Sequence, residues 1–246
     1  GLGDVYKRQG IYLIPNKSTS ESFKIDLSKP IIYDNGCHLN QRQASLSSNC
    51  SWGNYGPKVL LVGDSHAAQW FPAFSALADA GKIQFTSQTK SSCPLTSNSI
   101  YVAGKLDQSC SDWHKNIVSL IKNSDFDYVV FSAFDRYNYD FGQGNWNRGL
   151  SDLVKEISGQ GKLVQILDTP KPPSDSPACL SSNSKNPSKC DFPYQVAPKI
   201  NLPDINEIDP NQWLCTNENC SAIFGGFNTY RDGSHISVAC LLYTSD

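Results

Sequence analysis

At 246 residues, 39 % of them apolar, the chain is long enough to fold as one sizeable domain around its own core. Its 21 Lys and Arg against 23 Asp and Glu, with no run of like charge, exclude the basic footprint expected for nucleic acid or an anionic membrane surface, and a neutral or weakly charged substrate fits better. No apolar stretch approaches the roughly 20 residues needed to span a bilayer, and no basic segment followed by an apolar one opens the chain, so the sequence as given reads as soluble and without a secretory signal.

Residues 11 to about 56 mix Ser, Asn, Pro and scattered aromatics without periodicity, which predicts an irregular arm over 1–57 that packs on the main domain. From residue 58 apolar runs alternate with helical stripes. The pattern predicts a buried strand over 58–63, then a helix over 67–80 with Trp70, Phe71, Phe74, Leu77 and Ala78 on one face and Gly81 at its end. A second strand over 83–87 leads into a Ser-rich loop, and residues 112–122 read as a helix through Trp113, Ile117, Leu120 and Ile121. A strand over 127–133, a helix over 146–158, a strand over 162–167 and a short strand over 205–208 follow. Such alternation implies parallel strands joined by right-handed crossovers, hence an α/β fold, a three-layer α/β/α sandwich of flavodoxin-like kind. The domain is expected over 58–239. The opening Gly-Leu-Gly-Asp-Val-Tyr-Lys-Arg-Gln and the closing residues 240–246 read as vector or assembly sequence.

Eight of the nine cysteines fall into local pairs: Cys37 with Cys50, Cys93 with Cys110, Cys179 with Cys190, and Cys215 with Cys220. Each would close a short polar loop that buries little, where a staple helps most, so four disulfides and an oxidising compartment are expected, with Cys240 left over. A zinc site fits less well, because only Cys215 and Cys220 approach ligand spacing and no His stands beside them. No metal and no cofactor are expected.

In an open parallel sheet, ligands bind beyond the carboxyl ends of the strands. Gly63-Asp64-Ser65-His66 lies there, between the first strand and the first helix. A serine at that turn exposes its hydroxyl, and its own N–H can face a developing oxyanion. Asp64 or Ser65 acting only as a helix cap is the plainer use of the same residues. Near the far end, Tyr230-Arg231-Asp232-Gly233-Ser234-His235 sets an acid three residues before a histidine. That offset lets the carboxylate reach one imidazole nitrogen while the other faces a nucleophile, and imidazole suits both halves of the proton transfer. A chance surface pair is the alternative.

The two motifs together resemble the SGNH (GDSL-like) hydrolase superfamily. More narrowly, Val-Gly-Asp-Ser-His-Ala-Ala-Gln at 62–69, the Ser-Ser-Cys-Pro after the second strand, the Leu-Cys…Cys at 214–220 and Tyr-Arg-Asp-Gly-Ser-His-Ile-Ser at 230–237 resemble the extracytoplasmic SGNH domain appended to acyltransferase family 3 membrane proteins. The resemblance implies a periplasmic or extracellular O-acyltransferase that moves an acyl group, usually acetyl, onto a hydroxyl of a cell-surface glycan. The acyl donor would be delivered by a membrane acyltransferase domain, fused upstream or separate. Ser65 would form the acyl-enzyme and supply one oxyanion donor through its backbone, His235 would act as base and then acid, and Asp232 would orient His235.

The family's Gly-x-Asn after the third strand is absent, since residues 132–138 read Ser-Ala-Phe-Asp-Arg-Tyr-Asn. Asn138 is the candidate replacement, with a solvated loop amide as the alternative. His66 is a candidate substrate contact or a packing residue, and His114, beside Trp113, is read as structural. Tyr137, Tyr139, Phe141 and Trp146 form either a sugar-stacking platform, with Tyr137 nearest the site, or a partly buried loop. Two further functions stay open from sequence: a secreted carbohydrate esterase with the same triad, and a catalytically silent glycan-binding module.

Overall fold

The computed structural model describes residues 23–135, 143–157, 159–194, 202–216 and 218–243. Its centre is a seven-stranded sheet of β1 (His38–Leu39), β2 (Ser51–Trp52), β3 (Lys58–Gly63), β4 (Gln84–Lys90), β5 (Tyr128–Ser132), β6 (Lys162–Ile166) and β7 (Ile205–Ile208). The order is β1-β4-β3-β5-β6-β7, and every neighbouring pair along it is parallel. β2 is the exception, running antiparallel to β4. The five longer strands therefore follow the 2-1-3-4-5 order of flavodoxin-like sheets, whose switch point lies beside the first strand. Here that strand is β3.

The apolar run of β3 is buried on both faces, as a central parallel strand should be. Val59 and Leu61 pack with Trp70, Phe71, Phe85 and Val164 on one face, while Leu60 and Val62 pack with Trp113, Ile117, Trp146 and Leu150 on the other. Helices α1 (Ser65–Ala68), α2 (Phe71–Asp79), α3 (Gln108–Lys122), α4 (Gln143–Glu156), α5 (Ser176–Ser182), α6 (Asn211–Leu214) and α7 (Val238–Tyr243) complete the domain. The three-layer expectation holds.

Local differences have physical causes. The helix expected over 67–80 is two helices, because Pro72 occupies the first turn of α2 and Trp70 caps it. α3 begins four residues before the expected start, since the Asp107 side chain accepts from Cys110 N–H. The Cys179 loop likewise contains α5, capped by the Asp175 side chain on Ala178 N–H.

The arm is not irregular throughout, because two stretches of it line the edge of β4. Polar residues at the end of β4 are buried by this cover. Lys90 Nζ donates to the carbonyls of Asn40 and Gln41 at 3.1 and 2.6 Å, and Gln88 Nε2 donates to Ser47 O at 2.8 Å. In α7 (Val238–Tyr243), Ala239 and Cys240 are buried; the side chains of Asp26 and Ser237 accept from their N–H groups at 2.8 and 3.1 Å. The four expected cysteine pairs are bonded, and Cys240 is buried and outside those four disulfides. His114 Nε2 donates to Pro94 O at 2.6 Å beside the Cys93–Cys110 bridge. Those two sulfurs and His114 lie within 4.8 Å of one another, but the sulfurs are bonded together. No helix among the described residues is long and apolar enough to cross a membrane.

His38 of β1 gives a pH signature of this cover. It lies 2.9 Å from Thr89 Oγ1 and 3.0 Å from Ser91 Oγ, and burial, with His235, Arg231 and Lys90 adding to it, lowers its pKa to about 4. The folded value lies below the unfolded one near 6.5, so the stability carried by neutral His38 is complete above about pH 6.5 and is lost as pH falls toward about 4. At about 1.4 kcal/mol per pH unit this amounts to about 3 kcal/mol. Urea midpoints of the unmutated protein should fall over that window, and His38→Gln, which keeps a donor and an acceptor for Thr89 and Ser91, should flatten the fall. An unchanged pH dependence in the variant would contradict the assignment.

Candidate active site

The carboxyl edge of β3 ends at Gly63, whose φ of 141° turns the chain sharply into α1. Asp64 caps that helix, its Oδ1 accepting His66 N–H at 2.7 Å. Its Oδ2 accepts Phe134 N–H at 3.0 Å, tying the turn to the loop after β5. Ser65 is thereby presented half-buried at the sheet edge.

From the other end of the chain, Tyr230 and Ile236 form an antiparallel bridge that closes a tight loop. Within it Asp232 Oδ1 accepts Ser234 N–H at 2.9 Å and His235 N–H at 2.8 Å, which fixes the carboxylate before any side chain reaches it. His235 Nδ1 donates to Asp232 Oδ2 at 2.9 Å, and its Nε2 lies 2.9 Å from Ser65 Oγ. The Nδ1 bond leaves Nε2 as acceptor, so the Ser65 hydroxyl donates. The three residues singled out in the sequence are thus joined by one path of hydrogen bonds across 170 positions.

The electrostatics follow from the same contacts. Burial disfavours a charge on Asp232, but the hydrogen bonds from His235 and from the Ser234 and His235 backbone outweigh it and hold the carboxyl well below the usual carboxylate range. His235 is lowered from its ordinary value, chiefly by burial, with His66 and Arg231 adding to the effect against the pull of Asp232. At neutral pH the pair is therefore an ionised acid beside a neutral imidazole, and such a chain can take a proton from the serine hydroxyl.

Three supporting side chains had no local signal in the sequence. Gln69, fully buried at the end of α1, accepts Ile236 N–H on Oε1 at 2.9 Å and so docks the His235 loop on the helix that starts at Ser65. Arg231 lies under the Tyr33 ring, 5.3 Å from its centroid, with Nε 3.5 Å from Asp232 Oδ2. Asp168, just past β6, takes His66 Nδ1 at 2.6 Å. His66 itself is 2 % exposed, turned to Asp168 and packed on Phe134 and His235, so it does not line an open surface. Trp146 is buried in the core beside α3. Tyr137, Asn138, Tyr139 and Phe141 lie outside the described residues. The N–H groups of Phe134 and Asp135 are taken by the carboxylates of Asp64 and Asp168.

Fold and geometry together define the class: a three-layer α/β/α domain carrying a hydrogen-bonded Ser–His–Asp path at the carboxyl edge of its sheet. Residues 36–243 match the SGNH domain (fused to AT3 domains), and the chain belongs to that family. Among solved structures it is similar to the periplasmic domain of the Salmonella ser. Paratyphi A lipopolysaccharide acetyltransferase, with 16 % identity and a TM-score of 0.61 over 98 % of this chain and 92 % of that one, a likeness of fold. Among curated proteins no sequence matches.

Proposed function

We propose that the chain is an O-acyltransferase domain that forms an acyl-enzyme on Ser65 and passes the acyl group, an acetyl, to a hydroxyl of a cell-surface glycan. The observation that carries this reading is the path of two 2.9 Å hydrogen bonds from Ser65 Oγ through His235 to Asp232. As Ser65 Oγ attacks the carbonyl carbon of the donor, its proton passes to His235 Nε2, and Asp232 balances the imidazolium that forms. The Ser65 backbone N–H is one donor to the oxyanion. Collapse of the tetrahedral adduct expels the leaving group, which takes the proton from His235 and leaves the acyl ester on Ser65. The glycan hydroxyl then attacks that ester and gives its proton to His235, which returns it to Ser65 Oγ as the product departs.

The family description supports an acyl donor delivered by a membrane acyltransferase domain. The name of the similar structure supports a glycan acceptor. Four disulfides support a periplasmic or extracellular location.

Transfer and hydrolysis differ only in which hydroxyl reaches the acyl-enzyme, so the acceptor must be varied. Purified protein is supplied with p-nitrophenyl acetate and a de-acetylated lipopolysaccharide oligosaccharide, and the products are read by mass spectrometry. Acetylated oligosaccharide in excess of free acetate is the expected result. Acetate alone would mean a carbohydrate esterase, and no turnover with retained oligosaccharide binding would mean a silent glycan-binding module.

A further inference from the structure

The site contains a second histidine–carboxylate pair that the reaction above does not use. His66 Nδ1 and Asp168 Oδ1 are 2.6 Å apart, with side-chain exposures of only 2 % and 5 %. The same Asp168 carboxylate accepts Thr169 N–H and Asp135 N–H, each at 2.8 Å, so both its oxygens are fixed by backbone from two different loops. On the other side of the turn, Asp64 accepts from His66 and Phe134 backbone. The His66 ring is held by contacts on two further sides: it stacks on Phe134 with centroids 4.5 Å apart and meets the His235 ring, also at 4.5 Å.

A buried carboxylate this close to an imidazole favours the protonated ring, because an unpaired buried anion is costly. We propose that His66 and Asp168 form a non-reacting positioning pair that braces the His235 ring toward Ser65 and holds a buried positive charge beside it. The proposal rests on the acyl-transfer reading of Ser65 and His235.

The charged groups around the two rings agree in sign. His66 faces Asp64 on its own turn, Asp168 beyond β6, and Asp232 and His235 from the C-terminal loop, with the Asp135 backbone N–H on the Asp168 carboxylate and Lys171 over the Phe134 ring. Burial opposes a charge on His66, but these carboxylates outweigh it and leave it above the ordinary histidine value. His235 faces Asp232, His66, Arg231 and His38, and the net effect on it is downward. His38 and His114 are lowered as well. Of the four histidines, His66 is therefore the one whose surroundings favour the protonated ring. A cation against the His235 face disfavours a second one there, which keeps the base free to accept the serine proton at a lower pH than it otherwise would.

Two measurements test this. In an 15N-histidine NMR titration of the unmutated protein, His66 should be doubly protonated at pH 7 while His38, His114 and His235 are neutral. A neutral His66, or a His235 that titrates above it, would overturn the proposal without any variant having to fold. Asp168→Asn and His66→Gln are then assayed with p-nitrophenyl acetate against pH, beside Ser65→Ala. Loss of the buried cation should move the acid limb of kcat/KM up by about one pH unit and lower kcat about tenfold with KM little changed. Asp168→Glu should recover part of both. Variants that keep the original acid limb, whatever their total activity, would sink the positioning role while leaving the Ser65 reading intact. A fully active Ser65→Ala would instead sink that reading, and the proposal with it.

Discussion

Replacing Ser65 by alanine is expected to lower kcat/KM toward an acetyl ester by about four orders of magnitude, with almost no change in melting temperature. The large effect follows from the path of hydrogen bonds. Without Oγ, His235 Nε2 has no hydroxyl to deprotonate except water, which is not held in line with the donor carbonyl. The small effect on stability follows from the same geometry. Ser65 is half-buried, and the one side-chain bond its hydroxyl makes among the described residues is to His235. A surface-proximal truncation of this kind lies within about 0.5 kcal/mol of neutral. Steady-state rates with p-nitrophenyl acetate and a thermal melt by circular dichroism check the two halves separately. Retained turnover in a folded variant would remove Ser65 from the chemistry.

Gly63→Ala is expected to produce the largest loss of stability of any single methyl added near the site. A Cβ built on Gly63 falls 2.2 Å from Ser132 O and 2.9 Å from Ala67 Cβ, and the backbone there has a φ of 141° that an L side chain resists. Neither neighbour can yield cheaply. Ser132 is in register opposite Gly63 in the β3–β5 ladder, and Ala67 is wholly buried in α1. Overpacking and backbone strain each cost about 1 to 3 kcal/mol, so a combined loss of about 3 to 5 kcal/mol and a fall of about 10 °C in Tm are expected. Because relief of the clash must move either the strand end or the turn, the folded fraction should also lose turnover. A variant with an unaltered Tm and full activity would contradict this account of the turn.

The sheet was legible because its central strands are buried on both faces and read as continuous apolar runs. β3 coincides with its expected span, and β6 differs from its own by one residue. β4 runs three residues beyond its expected end because Gln88, Thr89 and Lys90 are polar yet buried, their partners supplied by the arm some 40 to 50 positions earlier. No local pattern carries that information. The arm's own strands are two residues each, too short for any periodicity to appear.

The same distinction separates the parts of the site. Ser65, Asp232 and His235 were legible because two compact motifs carry them. Asp168 was not, since it meets His66 across 102 positions and stands in no motif. Gln69 and Arg231 lay inside the quoted strings, but their roles depend on Ile236, Tyr33 and Asp232 being brought beside them by the fold. His66 shows the converse: its position suggested a substrate contact, while its burial against Asp168 gives it an internal partner.

The central claim is that Ser65 is an activated nucleophile, and its reaction with a fluorophosphonate tests that claim most directly. Folded protein should take up one phosphonyl group, mapped by peptide mass spectrometry to Ser65, and His235→Ala should label far more slowly. No adduct in the folded protein, or an adduct at another residue at the same rate with and without His235, would contradict it.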